Sequence, residues 1–105
     1  MTFYRLTDLT RTGAAPPGAS EERPAIHGRR LEVGYYHYPA GTIKPPHRHP
    51  EEQVVVVVRG RLGYRVAGET RILGPGEAVC IASGVEHDNW ALDEDVEFIS
   101  CKNRL

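Results

Sequence analysis

Apolar and polar residues alternate in short runs along most of this chain, and glycine or proline separates one run from the next. A period of two is typical of half-buried strands, and no stretch keeps the 3.6-residue period of an amphipathic helix. Short strands at regular spacing, with turn residues between them, are typical of a sandwich or a barrel. We therefore expect an all-β fold, with strands at residues 2–9, 29–38, 42–44, 53–59, 62–67, 70–73, 77–82, 89–92 and 96–101.

Residues 10–28 break this pattern, because Gly, Pro, Ala, Ser and charged residues dominate them. Such a composition is typical of a surface loop. A chain of 105 residues has the length of one domain and leaves little for a second lobe. We expect an N-terminal strand and loop over residues 1–28 and a single small β-barrel over residues 29–105.

The charge balance narrows the class of partner. The chain has 13 Lys and Arg residues against 14 Asp and Glu residues, and its net charge is −1. This balance argues against nucleic acid as the main partner, because no basic excess exists to neutralise phosphates. The longest apolar run, residues 54–58, is far shorter than the roughly 20 residues of a membrane span, and the N-terminus lacks the pattern of a signal peptide. We expect a cytoplasmic protein whose partner is a small molecule, with no nucleic acid and no membrane.

The two cysteines, Cys80 and Cys101, are far apart and form no CxxC pair. We expect both to be reduced, buried thiols, as is usual in cytoplasmic proteins. A single disulfide between them is the less favoured alternative.

Three of the five histidines stand where a metal site would need them. His47 and His49 are two residues apart, so on an extended strand both imidazoles face one side and can bind one ion. Gln53 has the same parity, and His87 follows a turn that returns the chain towards a neighbouring strand. The predicted metal ligands are therefore His47, His49, Gln53 and His87.

The histidines also allow a structural interpretation, since an HxH pair occurs by chance on surface strands. His27 lies in the predicted loop and His37 lies among tyrosines, and we interpret both as ordinary. His47, His49 and His87 differ, because each stands at a strand end beside a Gly or Pro turn. This placement favours metal binding over chance.

The segment around the first two histidines resembles the first motif of the cupin family, G(X)5HXH(X)3–4E(X)6G. Gly41 is followed by five residues, then His47 and His49, then three residues, Gln53, six residues and Gly60. The one departure is that a glutamine stands at position 53, where glutamate is usual. The change makes the site poorer by one negative charge.

A second segment resembles the PXGXXH core of the second cupin motif. It reads Ala82-Ser83-Gly84-Val85-Glu86-His87, with Ala82 in place of the proline and Ala91 in place of the terminal asparagine. The resemblance covers about residues 30–100. It implies a jelly-roll barrel around a divalent transition metal, usually iron, manganese, nickel, zinc or cobalt, bound by His47, His49, Gln53 and His87.

The local sequence is similar to that of short single-domain cupins of pectin degradation, which convert unsaturated uronates to keto forms, and of small polyketide cyclases. This resemblance implies a metal-dependent isomerase, cyclase or lyase that acts on a sugar acid or a polyketide. Neutral ligands would make the metal a stronger Lewis acid, which favours such chemistry. Two alternatives stay open: an iron-dependent dioxygenase, and a non-catalytic cupin that binds a small molecule or a metal.

In the uronate enzymes an acidic, an aromatic and a basic residue near the C-terminus assist the reaction. The resemblance implies Glu97, Phe98 and Arg104 here, and makes Glu97 and Arg104 the catalytic candidates. The competing interpretation is that Glu97 faces solvent and that Arg104 belongs to a frayed end.

Other residues are candidates for the pocket. Tyr36 and Tyr38 share one strand face, and Trp90 is a candidate for the mouth. A substrate carboxylate would need a cation, and five arginines alternate with apolar residues: Arg48, Arg59, Arg61, Arg65 and Arg71. The alternative is that the aromatics belong to the core or a dimer surface, and that the arginines are solvated.

A barrel this short has open strand edges, which invite pairing with a second copy. We therefore expect a homodimer in which residues 2–9 or 29–38 cross over to the partner.

Overall fold

The computed structural model describes residues 2–12 and 25–105, and within these ranges the regular secondary structure is almost entirely β-strand. One short 3₁₀ helix, Leu6–Leu9, precedes the strands. The strands are β1 (Thr10–Thr12), β2 (Ile26–His27), β3 (Leu31–Tyr38), β4 (Ile43–His47), β5 (Gln53–Arg59), β6 (Leu62–Val66), β7 (Glu69–Leu73), β8 (Ala78–Ile81), β9 (His87–Ala91) and β10 (Val96–Asn103).

Two sheets face each other and enclose the core. The larger sheet has the order β1-β3-β10-β5-β8, with β2 also paired to β3, and the smaller has the order β4-β9-β6-β7. All the pairings are antiparallel except that of β1 with β3. This architecture is a jelly roll, so the predicted all-β class is confirmed.

The core follows from the alternation along each strand. In β10 the even positions Val96, Phe98 and Ser100 are buried, and in β5 the odd positions Val55 and Val57 are buried. Because successive side chains point to opposite faces, each strand gives one face to the barrel interior. The core is apolar at one end of the barrel. Towards the other end, buried polar side chains take the inward positions of the strands.

The prediction of a strand over residues 2–9 is wrong. Leu6–Leu9 forms a 3₁₀ turn in which the amide of Asp8 donates to the carbonyl of Arg5. This segment lacks a period-two alternation, and Leu6 and Leu9 lie three residues apart, the spacing of a 3₁₀ turn. The predicted loop 10–28 instead begins and ends with short strands, and residues 13–24 of it lie outside the described residues.

Two further strands differ from their predicted bounds. β4 continues through Pro45 and Pro46 to His47, which is tolerated because β4 is an edge strand and those prolines need not donate to a ladder. β9 begins at His87 rather than at residue 89. Both extensions carry histidines into the sheet.

The cysteines are free, as predicted, but the expectation that both are buried is wrong. Cys80 is exposed and Cys101 is half-buried. Both lie opposite Val54, on the strands either side of β5. Two strand spacings separate them by about 10 Å, which is too far for a disulfide.

No helix within residues 2–12 and 25–105 has the length and apolar character that crossing a membrane would require.

Candidate metal centre

Strands β4 and β9 of the smaller sheet bring three histidines together. His47 ends β4 and lies in register with His87, the first residue of β9. His49 lies two residues beyond His47, in the loop before β5. The candidate ligand nitrogens of the three rings all lie within 4.8 Å of one another. A single transition-metal ion, with metal–nitrogen distances of about 2.0–2.1 Å, fits between such nitrogens.

Backbone carbonyls fix the orientation of all three rings. In each ring Nδ1 lies 2.9–3.0 Å from the carbonyl oxygen of a residue two positions away in sequence. A carbonyl oxygen only accepts, so Nδ1 carries the hydrogen, and Nε2 keeps the lone pair that a metal ligand needs. Hydrogen bonds of this kind to the second ring nitrogen are usual in metal-binding histidines.

His87 provides a test of whether these residues fit a metal. Its side chain is buried, and its Nε2 has no hydrogen-bond partner among the described residues. A buried polar atom without a partner costs free energy, and a metal ion between the three rings would satisfy this one. Imidazole donors suit zinc, copper, iron and nickel. The site therefore fits a transition metal.

Gln53 lies beside His49 and is buried. Its Oε1 lies 3.1 Å from Nε2 of His49, and its Nε2 donates to Oγ of Ser100 at 2.8 Å. Because Nδ1 of His49 holds that ring's hydrogen, two lone pairs face each other across the 3.1 Å gap. A cation shared by both atoms would remove this repulsion. That Gln53 binds the metal stays a prediction.

Burial keeps two of the histidines neutral. It lowers the pKa of His47 to about 4, and the charge of Lys44 acts in the same direction. Burial also lowers the pKa of His87, where the charges of Lys44 and Lys102 again add to the effect. A neutral imidazole is the form that binds a metal, so both rings are in that form at neutral pH.

A small cavity lies beside the histidines, between the two sheets. It holds about 20 Å³ that the centre of a water molecule can reach, which is room for one or two water-sized groups. Its aromatic wall consists of Tyr36, Tyr38, Tyr64 and Phe98. The prediction that Tyr36 and Tyr38 share a face is confirmed, since both line this cavity.

The cavity also holds residues that sequence reasoning missed. Lys44, Lys102 and Asn89 line it together with His47 and His87. Two signals pointed to the lysines: they are the chain's two lysines, and one of them stands three residues before the HxH pair.

The two residues implied for catalysis, Glu97 and Arg104, lie outside the lining of this cavity. The Tyr35 hydroxyl donates to Oε2 of Glu97 at 3.3 Å, on the face of β10 opposite the buried Phe98. Arg104 is exposed, and its Nη1 donates to the carbonyl of Gly28 at 2.8 Å. The described contacts thus tie neither side chain to the histidines, and a catalytic part for them stays a prediction.

The candidate arginines and Trp90 lie on the outer surface. Four arginines are exposed and form ion pairs: Arg48 with Glu86, Arg61 with Asp93, Arg65 with Asp88, and Arg71 with Glu69. Alternation along β9 turns Asn89 inward and Trp90 outward, where the Trp90 ring lies against Gly63 and under the guanidinium of Arg65 at 5.7 Å. Trp90 is therefore not at the mouth of the cavity.

This jelly roll with three converging histidines agrees with the comparison to protein families. The family model described as the cupin domain matches residues 34–101, and the chain belongs to this family. An uncharacterized protein of Streptomyces coelicolor, SCO3923, is 31% identical over 99 residues, which cover 94% of this chain and 92% of the relative.

Comparison with solved structures agrees with this family assignment. KdgF from Halomonas sp. is similar with a TM-score of 0.71 and 28% identity, over 74% of this chain and 72% of that one. The DMSP lyase DddQ from Ruegeria pomeroyi DSS-3 has a TM-score of 0.69 and 27% identity, over 73% of this chain but 40% of that longer chain. An RmlC-like cupin from Shewanella frigidimarina, with a TM-score of 0.73 and 19% identity over 78% of this chain and 74% of that one, shares the fold.

Proposed function

We propose that this cupin is a metal-dependent enzyme, an isomerase, cyclase or lyase that acts on a small oxygenated molecule such as a sugar acid or a polyketide. The observation that carries this proposal is the convergence of three oriented histidines beside a cavity between the sheets. His47, His49, Gln53 and His87 would hold the metal, a divalent iron, manganese, nickel, zinc or cobalt ion. When bound, it would polarise a carbonyl or enol oxygen of the substrate.

The chain's own residues would complete the site. The ligand set is neutral and leaves the positive charge of the ion uncompensated, which strengthens its pull on a substrate oxygen. Burial raises the pKa of Tyr64, so its hydroxyl keeps its proton at neutral pH and can donate a hydrogen bond in the cavity. The aromatic side chains of Tyr36, Tyr38, Tyr64 and Phe98 would form one wall against the substrate.

Two of the similar solved structures, each more than 25% identical to this chain, support this class of reaction. One is KdgF, and the other is named as a DMSP lyase. Such chemistry uses a Lewis acid, which the metal would supply, and a donor to the substrate oxygen, which the tyrosine hydroxyl would supply. The alternatives, an iron-dependent dioxygenase and a non-catalytic binding cupin, need no residue that this site lacks, so experiment must separate them.

The test is turnover of an unsaturated uronate, followed by the loss of its ultraviolet absorbance, alongside oxygen uptake by the iron-loaded protein. We expect turnover by the wild type without oxygen uptake, and none by the double variant His47→Ala, His49→Ala. Oxygen uptake without uronate turnover would replace the proposal with the dioxygenase. Inactivity in both assays, with tight metal binding, would replace it with the binding cupin.

A further inference from the structure

Two loops lie side by side at the histidine end of the barrel, and both cross from one sheet to the other. Residues 48–52 join β4 to β5, and residues 82–86 join β8 to β9. Since β4 pairs with β9 and β5 pairs with β8, the two loops connect neighbouring strands. The first loop carries His49, and the second leads directly into His87. The distance between these two histidines therefore depends on how the loops are held together.

Two hydrogen bonds join the loops directly beside the histidines. The amide of Gly84 donates to the carbonyl oxygen of His49 at 2.9 Å. The hydroxyl of Ser83 donates to the carbonyl oxygen of Pro50, the next residue of the first loop. Because the first bond is made by the backbone of a candidate ligand, it limits how far that residue can move from the second loop.

An ion pair joins the same loops at their exposed side. Nη2 of Arg48 lies 3.0 Å from Oε2 of Glu86, and both side chains are more than half exposed. Exposed ion pairs contribute little, because water and salt screen the two charges. Neither loop is a strand, so no sheet ladder joins them. The hydrogen bonds of Ser83 and Gly84 are therefore the stronger constraint between the loops.

We propose that Ser83 is a positioning residue for the candidate metal centre. Its hydroxyl, with the neighbouring Gly84 amide, holds the His49 backbone against the second loop, so that the three imidazoles stay close together before a metal binds. A ligand set that is already assembled loses less conformational freedom when the ion arrives. The inference rests on the proposed function in that the histidines are taken as the metal ligands, but its tests need no turnover.

The first test follows hydrogen exchange of the Gly84 amide by NMR in chelator-treated protein. We expect exchange to be about tenfold faster in Ser83→Ala than in the wild type, because the loops separate more often. Ser83→Thr keeps a hydroxyl and should exchange like the wild type. Thr42→Ala is the matched control, since it removes a hydroxyl that donates to the Pro39 carbonyl at 2.7 Å beyond the other end of β4. It should leave Gly84 exchange unchanged.

The second test measures Zn²⁺ affinity by competition with a chromophoric chelator. We expect Ser83→Ala to weaken Zn²⁺ binding by about tenfold, because the ion must then bring its ligands together. Ser83→Thr and Thr42→Ala should bind Zn²⁺ like the wild type, which a general loss of stability would not reproduce. Zn²⁺ should also restore slow Gly84 exchange in Ser83→Ala, since the ion bridges the same two loops.

The inference and the proposed function fail separately. Wild-type Gly84 exchange or wild-type Zn²⁺ affinity in Ser83→Ala, with its fold confirmed by circular dichroism, would overturn the inference even if the protein turns over an uronate. Zn²⁺ binding that depends on the Ser83 hydroxyl, in a protein that turns over no uronate, would overturn the proposed enzyme and leave the inference standing.

Discussion

A neutral glutamine stands where the cupin motif usually carries glutamate, and its surroundings suit coordination. Oε1 of Gln53 faces Nε2 of His49, while its amide is held by Ser100. A carboxamide oxygen binds a divalent cation more weakly than a carboxylate does, because it carries no net charge. As a predicted ligand, Gln53 would therefore change the strength of metal binding rather than abolish it.

We predict that Gln53→Glu tightens divalent-metal binding by about tenfold, because it adds a negative charge to the ligand set. Ser100→Ala should act in the opposite direction, with a loss of about tenfold, since it removes the hydrogen bond that orients Gln53. Competition with a chromophoric chelator measures both. Unchanged affinity in both variants would mean that Gln53 does not bind the metal.

The buried histidines also make stability depend on pH. Burial lowers the pKa of His47 to about 4, below its ordinary value of 6.5 in the unfolded chain. Between these values the unfolded chain binds more protons, so the free energy of unfolding falls as the pH drops from about 6.5 towards 4. His87 acts in the same direction.

We therefore predict that metal-free protein is less stable to urea at pH 5 than at pH 7.5, and that His47→Asn flattens this dependence. Asp95 does not obscure the test. Its hydrogen bond from the Ala40 amide, aided by His37, lowers its pKa below 3.8, so its contribution is lost only at more acidic pH. A pH dependence that His47→Asn leaves unchanged would contradict the assignment.

The grouping of the three histidines was predictable at the residue scale, whereas the positions of the lysines were not. Parity along an extended chain places His47 and His49 on one side, and turn residues place His87. The pairing of β4 with β9 shifts register between Lys44 and His47, and both side chains line the cavity although they have opposite parity. Periodicity within one strand carries no information on such a shift, which arises from pairing between strands.

At the scale of elements, the turn between β5 and β6 depends on Gly60. Its φ of +79° lies in the left-handed region, and a Cβ there would collide with the backbone carbonyl of Asp95. Gly68, between β6 and β7, has a similar φ of +83° but open space around it. Substitutions at Gly60 and Gly68 therefore separate the energetic cost of a left-handed backbone from the cost of a close contact.

We predict that Gly68→Ala lowers the free energy of unfolding by about 1 kcal/mol, from the left-handed backbone alone. Gly60→Ala should cost about 3 kcal/mol or more, because rigid backbone must also move. Urea denaturation followed by circular dichroism measures both. Equal losses would show that the contact between Gly60 and Asp95 is not tight in solution.

The predictability of each element follows from how it is stabilised. β5 and β10 were predicted closely because one face packs on the core, which forces strict alternation. Leu6–Leu9 was not, because none of its residues is buried and local hydrogen bonding decides its form. The proline-containing end of β4 was also missed, since its position at a sheet edge is a property of the whole topology.

At the scale of the whole molecule, the larger sheet has an apolar outer face. In the registers of β3, β10 and β5, Val33 lies opposite Cys101, Cys101 opposite Val54, and Ile99 opposite Val56. These side chains are exposed or half-buried in the single chain. A contiguous apolar surface of this kind favours association, and it includes β3, which lies within the segment predicted to cross over.

We predict a homodimer through this face. Val54→Lys should give a monomer by light scattering at micromolar concentration, because it places a charge in the interface. Ile72→Lys on β7 is the matched control, since Ile72 is also exposed but belongs to the smaller sheet, and it should stay dimeric. A monomeric wild type would refute the prediction.

Whether His47, His49 and His87 hold a metal ion is decided by the metal stoichiometry of the protein. Elemental analysis of protein purified without added metal, and again after loading with iron, manganese, nickel, zinc and cobalt in turn, gives that number. We predict about one equivalent per chain, lost in the His47→Ala, His49→Ala variant. A folded wild type that retains no stoichiometric metal under any loading would contradict it.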